Sequence, residues 1–449
     1  MKPLKIGVTG VRGVVGETFT PELVVGFAQA CATYLDGGRI LVCRDTRPSG
    51  PMVRSAVLAG LLAVGCEVID LGVCPTPSMQ LAVRELGAAG GIAITAGHNP
   101  SQWNALKFVR GDGLYFNATQ GEELLDIYHQ GEFPKARWDA VKTKVESADA
   151  VAHHVEALKG AFDVGAIRAR RPRVAVDCCN GACVYLIPRW LEELGCEVLS
   201  VNDDPFAPFP HNPEPRRETM AQLRAVVKAG RADIGFAHDA DGERLGLVTE
   251  LGEPLGEELT LALAAETRLA QRPGGIVVTN VSTSGAVDLI ARRHGGSVVR
   301  TPVGQAHISE AMVEHAAVLG GEGSGGVSVP EVHPTHDSAA AIGLILERLA
   351  RTGERASEMV GGLPRLSVVK HNVKVEPNHI YQLLQNFRLA AEREGAACDL
   401  TDGVKVSLPE GWAHVRASNT ESMIRIIVEA ETEAGGRRLL DWARDRVRG

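Results

Sequence analysis

Three carboxylates at alternate positions are the residues of this chain best suited to chemistry. In "HDADGERLGLV" they are Asp239, Asp241 and Glu243. Alternate side chains of an extended loop point the same way, so the three would share one face. Clustered carboxylate oxygens suit Mg²⁺ better than zinc. A polar hairpin turn also accounts for an Asp-Gly pair, whereas an EF-hand does not fit, because Arg244 stands where that loop needs glycine.

A second loop is placed to present a reactive group but carries none at its apex. In "GGIAITAGHNPSQWNALKF" an apolar run ends in small residues, His98 and an Asn-Pro turn, with Lys107 ten residues beyond Gly97. Thr95 and Ser101 are nearby hydroxyls, but each would need a backbone shift that precise phosphoryl transfer does not tolerate. The question is what chemistry such a loop performs without a nucleophile at residue 97.

Two further loops carry groups that bind anions and sugars. "RASNTESMIR" gathers guanidinium forks, hydroxyls and backbone amides around one turn, which together form a phosphate clasp. These groups belong to Arg416, Ser418, Asn419, Thr420 and Arg425. "GGEGSGGV" contains GxGxxG, but the following "VSVPEVHP" cannot open a helix, so a dinucleotide site is excluded. Its Glu322 and Ser324 are able to bind sugar hydroxyls, although ordinary surface turns also explain either loop taken alone.

The elements that must position these loops follow one repeated plan of strand, loop, helix and strand. Gly65, Gly195 and Gly295 fall where each helix needs a left-handed C-cap before the next strand. Apolar strands that alternate with helices indicate parallel, buried sheets. We therefore predict three similar α/β domains with mixed, mostly parallel sheets, over residues 1–148, 149–253 and 254–363. The last segment, 364–449, predicts a smaller α+β domain with antiparallel strands.

Composition narrows the class of protein. The 449 residues are 45% hydrophobic and 23% charged, as in a soluble globular protein. The net charge of −8 argues against nucleic-acid binding. No apolar run approaches the roughly 18 residues of a membrane span, and the first residues lack the apolar region of a signal peptide. We expect a cytoplasmic protein without membrane association, whose nine cysteines are buried free thiols.

Taken in order, the loops resemble those of the α-D-phosphohexomutase superfamily, and the match covers nearly the whole chain. The motifs are "TAGHNP", "DADGER", "GEGSGG" and "RASNTE", with "DTRPSG", "CPTPS", "TPVG" and "HNPEP" as further matches. The resemblance implies four domains around a central cleft that receives one loop from each. It also implies a mutase that interconverts hexose 6-phosphate and hexose 1-phosphate through a hexose 1,6-bisphosphate, with phosphoserine as the phosphoryl carrier. "EGSGG" and "QWNALKF" look most like a phosphoglucosamine mutase branch, while phosphomannomutase and phosphoglucomutase activities stay open.

The resemblance also implies roles for individual residues. Mg²⁺ would be held by Asp239, Asp241 and Glu243. Arg12, Lys107 and Arg244 would lie beside the reacting phosphoryl group, with Lys107 a candidate acid or base. The sugar would be bound by Thr301, Gly304, Glu322 and Ser324, and the distal phosphate by the five residues of the "RASNTESMIR" clasp. The implied partner is a small phosphosugar, and the implied assembly is a monomer or homodimer.

The chain departs from the family pattern at four positions. Gly97 stands at the phosphoserine position, so no phosphoester can form on that residue. Glu243 replaces an aspartate and Ser422 replaces a proline, and neither change removes a ligand. Gly326 stands where many members place histidine, which leaves His333 as a candidate to supply the base.

Three interpretations of Gly97 stay open at this stage. The chain is a Ser→Gly variant of an ordinary mutase, or a paralogue that binds phosphosugars without turning them over. As a third interpretation, water enters the space beside Mg²⁺ and gives a slow phosphosugar phosphatase. His98 is a minor candidate to carry phosphate in place of the missing serine.

Overall fold

The structure, a computed structural model, describes residues 4–7, 10–142, 145–418 and 423–448. Its strands form four sheets that follow one another along the chain, with seven, four, four and five strands. The first three sheets combine parallel and antiparallel pairs, and the fourth is antiparallel throughout. The predicted fold class is therefore confirmed, while the exact domain boundaries stay predictions.

The first sheet has the order β1-β2-β6-β5-β3-β4-β7. Strands β3, β4, β5 and β7 pair in parallel, and β6, β2 and β1 continue the sheet antiparallel. Its strands are β1 (Lys5–Gly7), β2 (Gly10–Val14), β3 (Arg39–Arg44), β4 (Glu67–Val73), β5 (Gly90–Ile94), β6 (Trp103–Arg110) and β7 (Val145–Ser147). The helices of this domain are α1 (Pro21–Tyr34), α2 (Gly50–Val64), α3 (Thr76–Glu85) and α4 (Ala118–Gln130).

The second and third sheets, ordered β11-β10-β8-β9 and β13-β12-β14-β15, each have three parallel strands and one antiparallel edge strand. The second domain contains α5 (Ala150–Ala161), α6 (Val164–Arg170), β8 (Arg173–Asp177), α7 (Ile187–Glu193), β9 (Glu197–Val201), α8 (Ala221–Gly230), β10 (Ile234–His238) and β11 (Leu245–Thr249). The third contains α9 (Glu258–Gln271), β12 (Ile276–Asn280), α10 (Ala286–Arg293), β13 (Ser297–Thr301), α11 (Gln305–Glu314), β14 (Leu319–Gly321), β15 (Val327–Ser328), α12 (Ser338–Thr352) and α13 (Ala356–Gly361).

The fourth sheet has the order β16-β20-β19-β18-β17 and packs against two helices. Its elements are β16 (Ser367–Lys374), α14 (Ile380–Arg393), β17 (Cys398–Asp399), β18 (Val404–Leu408), β19 (Gly411–Ala417), β20 (Met423–Ala430) and α15 (Glu433–Arg448). This arrangement agrees with the smaller α+β domain with antiparallel strands that the sequence predicts for residues 364–449. Short 3₁₀ turns occur at Ala182–Tyr185 and Pro377–His379.

Glycine ends three helices of the α/β domains as the sequence predicts. Gly65, Gly195 and Gly295 have φ of +98°, +69° and +67°. A left-handed residue at this position closes the last helical turn, and glycine adopts it without a steric penalty from Cβ. Each helix can therefore stop abruptly and return the chain to the next strand of its sheet.

The buried apolar side chains of the fourth domain form a cluster separate from the one that extends through the first three domains. One cluster of buried apolar side chains runs through the first three domains, from Leu41 to Leu363. The fourth domain has a separate cluster, from Phe387 to Val447. The first three domains thus share one continuous core, while polar contacts fasten the fourth domain to the third.

Two expectations about the whole chain are tested here. Within the described ranges, no helix combines the length and apolar character that a membrane span needs. All nine cysteines are free; seven are buried, whereas Cys196 and Cys398 are half-buried. The thiols therefore form no disulfide framework.

Candidate active site

The four loops that carry the motifs occupy equivalent places in their sheets. Each joins a strand to an antiparallel partner: β5 to β6, β10 to β11, β14 to β15, and β19 to β20. Main-chain hydrogen bonds then connect loops of different domains. Arg244 forms a β-bridge with Gly326, and the Thr76 amide donates to the Asp241 carbonyl at 2.9 Å. The loops of the first three domains therefore meet at one site.

Buried Arg47 fixes the loop that contains Gly97. Its Nη2 donates to the Gly97 carbonyl at 2.6 Å and to the Asn99 carbonyl at 2.7 Å. Its Nη1 donates to the Pro100 carbonyl at 2.8 Å, and its Nε donates to Asp45 Oδ2 at 2.9 Å. A planar guanidinium suits this arrangement because its donors are fixed in one fork. The loop backbone is thus held rigidly from the "DTRPSG" segment.

Gly97 lies directly against a carboxylate of the second domain. Its φ is +54°, and a Cβ built on it would lie 3.5 Å from both Oδ1 and Oδ2 of Asp241. That separation is an ordinary van der Waals contact, so a small side chain fits. The hydroxyl of Thr95 is also close, at 3.2 Å from Asp241 Oδ2 and 2.7 Å from Asp45 Oδ2. It is buried and accepts from the Gly97 amide at 3.0 Å, which makes it a support for the loop.

The carboxylates of "DADGER" differ in their surroundings. Burial and the charge of Asp241 hold the pKa of Asp239 well above its ordinary value. Burial alone would raise the pKa of Asp241 as well, but the Lys107 ammonium lowers it below its ordinary value. Lys107 Nζ lies 2.7 Å from Asp241 Oδ2 and 2.7 Å from Glu243 Oε2. Although burial opposes the charge of this ammonium, the two carboxylates raise its pKa, and it stays a cation.

The fit of this site to a divalent cation can be judged from its oxygens. Among the described residues, Asp239 Oδ2 and Asp241 Oδ1 are buried without a hydrogen-bond partner. Two such oxygens side by side suit a hard cation, since buried charge needs a partner. Glu243 is turned instead toward Lys107 and Tyr115. Accordingly, the described part of the chain holds no preformed group of three metal-ligating side chains, and the predicted ligand set stays a prediction.

Cations from three domains surround His98 of the Gly97 loop. Burial lowers the pKa of this imidazole well below its ordinary value, and the charges of Arg244, Arg12, Lys107 and Arg425 lower it further. The effect indicates that these four predicted residues lie within electrostatic range of His98. Converging positive charge in a cleft attracts anions. The arrangement suits a phosphate group and keeps the imidazole neutral.

The predicted sugar-binding residues gather at the start of α11. Glu322 Oε1 accepts from Asn280 Nδ2 at 3.0 Å and from the Gly304 amide at 3.2 Å. Ser324 Oγ donates to the other oxygen of Glu322 at 3.3 Å. Thr301 ends β13, and its hydroxyl donates to the neighbouring Pro302 carbonyl at 2.9 Å. The structure therefore brings Thr301, Gly304, Glu322 and Ser324 together.

The clasp of the fourth domain is described in part. Arg416 on β19 faces Arg425 on β20 across the antiparallel pair. Arg416 is buried, with its Nε 3.2 Å from Asp402 Oδ2, and the Ser418 amide donates to the Met423 carbonyl at 2.9 Å. The two arginines are thus paired across neighbouring strands. The predicted Asn419 and Thr420, as well as Ser422, lie outside the described residues.

That His333 replaces the missing histidine as a base stays a prediction. His333 packs against Gly113 and is influenced by Arg84 and Asp112 of the first domain. The imidazole beside Gly326 is that of His336: a Cβ on Gly326 would lie 2.5 Å from its Nδ1. Both histidines belong to "HPTHD", and nothing local in that sequence distinguishes them.

Two further residues of the site, Tyr115 and Gln305, belong to none of the motifs recognised in the sequence. The Tyr115 hydroxyl donates to Glu243 Oε1. With its side-chain amide oriented to satisfy both neighbours, Gln305 donates to the same oxygen at 3.0 Å and accepts from the His336 amide at 2.8 Å. These residues come from the end of a hairpin and the first turn of α11, and only the packing of the domains places them beside Glu243.

Comparison with known proteins extends these observations over the chain. The domain I, II and III models described as "Phosphoglucomutase/phosphomannomutase, alpha/beta/alpha domain" match residues 3–135, 152–252 and 256–366. The C-terminal domain model of the same family matches residues 372–445. The second and third sheets fall within a matched segment, and the first and fourth do so except for β7 and the start of β16.

Relatives match over almost their full length. A "Phosphoglucomutase/phosphomannomutase" of Thermococcus kodakarensis is 38% identical, over 97% of this chain and 96% of its own. A "Probable phosphoglucosamine mutase" of Methanopyrus kandleri is also 38% identical, over 98% and 97%. The crystal structure of a phosphoglucomutase/phosphomannomutase family protein from Burkholderia thailandensis superposes with a TM-score of 0.87 at 28% identity, covering 100% of this chain and 98% of that one. This chain therefore belongs to the phosphoglucomutase/phosphomannomutase family of phosphosugar mutases.

Proposed function

We propose that the chain binds hexose phosphates as a phosphohexomutase of the phosphoglucosamine mutase type, and that Gly97 limits its turnover. The reaction would interconvert hexose 6-phosphate and hexose 1-phosphate through a hexose 1,6-bisphosphate. The observation that carries the proposal is the position of Gly97, where a Cβ would lie 3.5 Å from both Asp241 carboxylate oxygens. A serine there would present its hydroxyl among the cations that surround His98. Glucose and mannose phosphates are the other candidate substrates.

The phosphoryl group would be bound by the cations of the cleft. Arg12, Lys107 and Arg244 would neutralise its charge, which is the largest contribution that a protein makes to phosphoryl transfer. The contacts of Lys107 with two carboxylates raise its pKa. This ammonium therefore suits a role as a fixed cation and hydrogen-bond donor, and as a proton donor to an alkoxide rather than a general base.

The rest of the substrate would span the third and fourth domains. Glu322 and Ser324 would hold sugar hydroxyls beside Thr301 and Gly304. The distal phosphate would be bound by Arg416, Ser418, Asn419, Thr420 and Arg425. Two anchored ends fix the orientation of a small ligand, and orientation is a large part of catalysis in a reaction with little covalent work for the protein. A phosphosugar, with one charged end and several hydroxyls, matches this division.

The carboxylates would hold Mg²⁺ beside the reacting end. Asp239 and Asp241 offer buried oxygens without partners among the described residues, and Glu243 would join them on release from Lys107. When bound, Mg²⁺ would add positive charge beside the phosphoryl oxygens. The ammonium of Lys107, freed from Glu243, would then be able to approach the phosphate.

Gly97 offers no oxygen for a phosphoester, and this favours a second candidate function. The protein would then be a phosphosugar-binding module that does not turn its ligand over. The nearby hydroxyl of Thr95 does not replace serine, because it is buried and engaged by Asp45. All cations of the cleft are retained in this case, so affinity would persist while turnover is absent.

Turnover assays on three proteins test both candidates. The parent, Gly97→Ser and Gly97→Ala are supplied with Mg²⁺, a trace of hexose 1,6-bisphosphate and glucosamine, glucose or mannose 6-phosphate in turn. Left-handed backbone costs a side chain about 1–2 kcal/mol, and Gly97→Ala controls for that cost. We expect Gly97→Ser alone to form hexose 1-phosphate, at a rate about 100-fold or more above the parent.

Other outcomes assign the function differently. Equal turnover by the parent and Gly97→Ser would show that another group carries the phosphate. Release of inorganic phosphate by the parent would indicate a phosphatase. Binding measured by calorimetry, without turnover by any of the three proteins, would identify the binding module. The absence of Mg²⁺-dependent affinity for every hexose phosphate would contradict both candidate functions.

A further inference from the structure

The imidazole of His336 occupies the space that a side chain on residue 326 would need. A Cβ built on Gly326 would lie 2.5 Å from His336 Nδ1, 2.6 Å from its Cε1 and 2.8 Å from its Cγ. Gly326 closes the sugar loop before β15, and His336 immediately precedes the N-cap of α12. A side chain on residue 326 and the imidazole of His336 would therefore need the same space, and in this chain the imidazole fills it.

The backbone around His336 is held on both sides. Its own amide donates to the side-chain oxygen of Gln305 at 2.8 Å in the orientation that satisfies that amide. The next residue, Asp337, donates from its amide to the Val327 carbonyl at 2.8 Å and accepts from the Ala339 amide at 2.9 Å. The imidazole is therefore fixed against the sugar loop by the main chain and does not depend on a surface rotamer.

The surroundings of His336 are those of the candidate site. The side chain is 4% exposed. Burial lowers its pKa, and the charges that act on it belong to Glu322, Glu243, Arg244 and Lys107. It thus lies between the residues proposed to hold the sugar and those proposed to hold the cation.

One nitrogen of this ring has no partner. Within the described part of the chain, His336 Nε2 is buried and makes no hydrogen bond. Leaving a buried polar group without a partner is unfavourable, and such groups are therefore rare in native proteins and commonly have a functional reason. The nitrogen lies beside residues proposed to bind a polyhydroxylated ligand, which would provide the partner.

We propose that His336 is a sugar-binding residue that supplies an imidazole to the sugar loop in place of a side chain on residue 326. Its Nε2 hydrogen-bonds the hexose between Glu322 and Glu243. This inference rests on the proposed function, because it needs a hexose phosphate in the cleft. It assigns the ring to recognition of the sugar and not to binding of the distal phosphate.

Moving the imidazole from one position to the other tests the proposal. The proteins compared are the parent, His336→Gly, Gly326→His, the double variant, and His336→Gln as a conservative replacement. Their affinities for glucosamine 6-phosphate and for inorganic phosphate are measured with Mg²⁺ by calorimetry and ³¹P NMR. Circular dichroism and melting curves confirm that each variant is folded.

We expect His336→Gly to weaken glucosamine 6-phosphate binding about 5- to 15-fold, the effect of one or two lost hydrogen bonds, with inorganic phosphate binding unchanged. Gly326→His should also bind weakly, because its side chain collides with His336. The double variant should recover to within about threefold of the parent, and His336→Gln should keep most of the affinity. In the Gly97→Ser background, the loss should appear in KM more than in kcat.

Two results would overturn the inference. If His336→Gly binds glucosamine 6-phosphate as tightly as the parent, or loses both ligands equally, His336 does not recognise the sugar, and the proposed function still stands. If the parent itself binds no hexose phosphate while remaining folded, the proposed function fails and this inference fails with it.

Discussion

Replacing Lys107 with methionine should strengthen Mg²⁺ binding. The ammonium lies 2.7 Å from Asp241 Oδ2 and 2.7 Å from Glu243 Oε2. At an effective dielectric of about 20, each contact has a Coulomb energy of about 6 kcal/mol. Desolvation offsets most of this energy, so that removing one partner of a buried pair costs about 3–5 kcal/mol. A cation that binds these carboxylates must break the same contacts.

Methionine keeps the length of the side chain and removes the competing charge. In the parent, Mg²⁺ must displace the ammonium from the two carboxylates, and in Lys107→Met it need not. If this makes Mg²⁺ binding more favourable by about 1.5–3 kcal/mol, the Kd for Mg²⁺ falls about 10- to 150-fold. Without metal, Lys107→Met should melt at a lower temperature than the parent, because Asp241 and Glu243 lose the cation that they share. Added Mg²⁺ should raise its melting temperature by more than it raises that of the parent.

Isothermal titration with MgCl₂ measures the first effect, and melting curves with and without Mg²⁺ measure the second. Lys159→Met is a matched control, because Lys159 pairs with Glu156 and Glu193 on the surface of the second domain. Hexose phosphate affinity should fall in Lys107→Met, since a phosphate-binding cation is lost. An unchanged or weaker Mg²⁺ affinity would refute the reasoning, because the ammonium would then not compete for these carboxylates.

Three other perturbations test supporting contacts. Arg47→Lys keeps the charge but loses most of the guanidinium hydrogen bonds that hold residues 97–100. It should lower the stability of the first domain by about 3 kcal/mol, and an unchanged midpoint of urea unfolding would contradict this. Burial opposes the charge of His211, but Asp177 raises its pKa to about 11. The contact between His211 and Asp177 therefore contributes its full stabilisation below pH 6.5, and this contribution is lost as pH rises toward 11. In His211→Asn the melting temperature should therefore fall less between about pH 7 and about pH 10 than it does in the parent. Glu429 accepts from two groups of the third domain, the Ser284 hydroxyl and the Gly285 amide; Glu429→Gln should speed proteolytic release of the fourth domain, and exposed Glu431→Gln should not.

The fold was predictable to a large extent because its signals are local. A glycine after an apolar helix predicts its own left-handed C-cap, as Gly65 shows with φ of +98°. Alternating apolar residues in 364–449 predict the antiparallel strands that the structure contains. These signals depend on backbone sterics and on residues a few positions apart, so a single sequence displays them.

The types of residue that form the site could be predicted from the sequence, but many of the contacts between them could not. The loops that carry Asp241, Glu322 and Arg425 follow from their motifs, and the structure brings these loops toward one cleft. The clamp by Arg47 and the hydrogen bond from Tyr115 to Glu243 do not follow, because no local pattern states which loop a buried side chain reaches. For the same reason, the sequence does not show that His336 is the histidine beside Gly326.

The sequence by itself determined the chemistry that residue 97 lacks, since a glycine has no oxygen in any fold. It also determined the order of strands, helices and loops, because propensity and periodicity act between neighbours. Only the tertiary structure decided that Lys107 bridges two carboxylates of another domain, 134 and 136 residues away, and that His336 fills the space beside Gly326. The physical reason is that the first contact arises from the packing of one domain on another and the second from a chain reversal within the third domain, and the spacing of residues along the chain encodes neither.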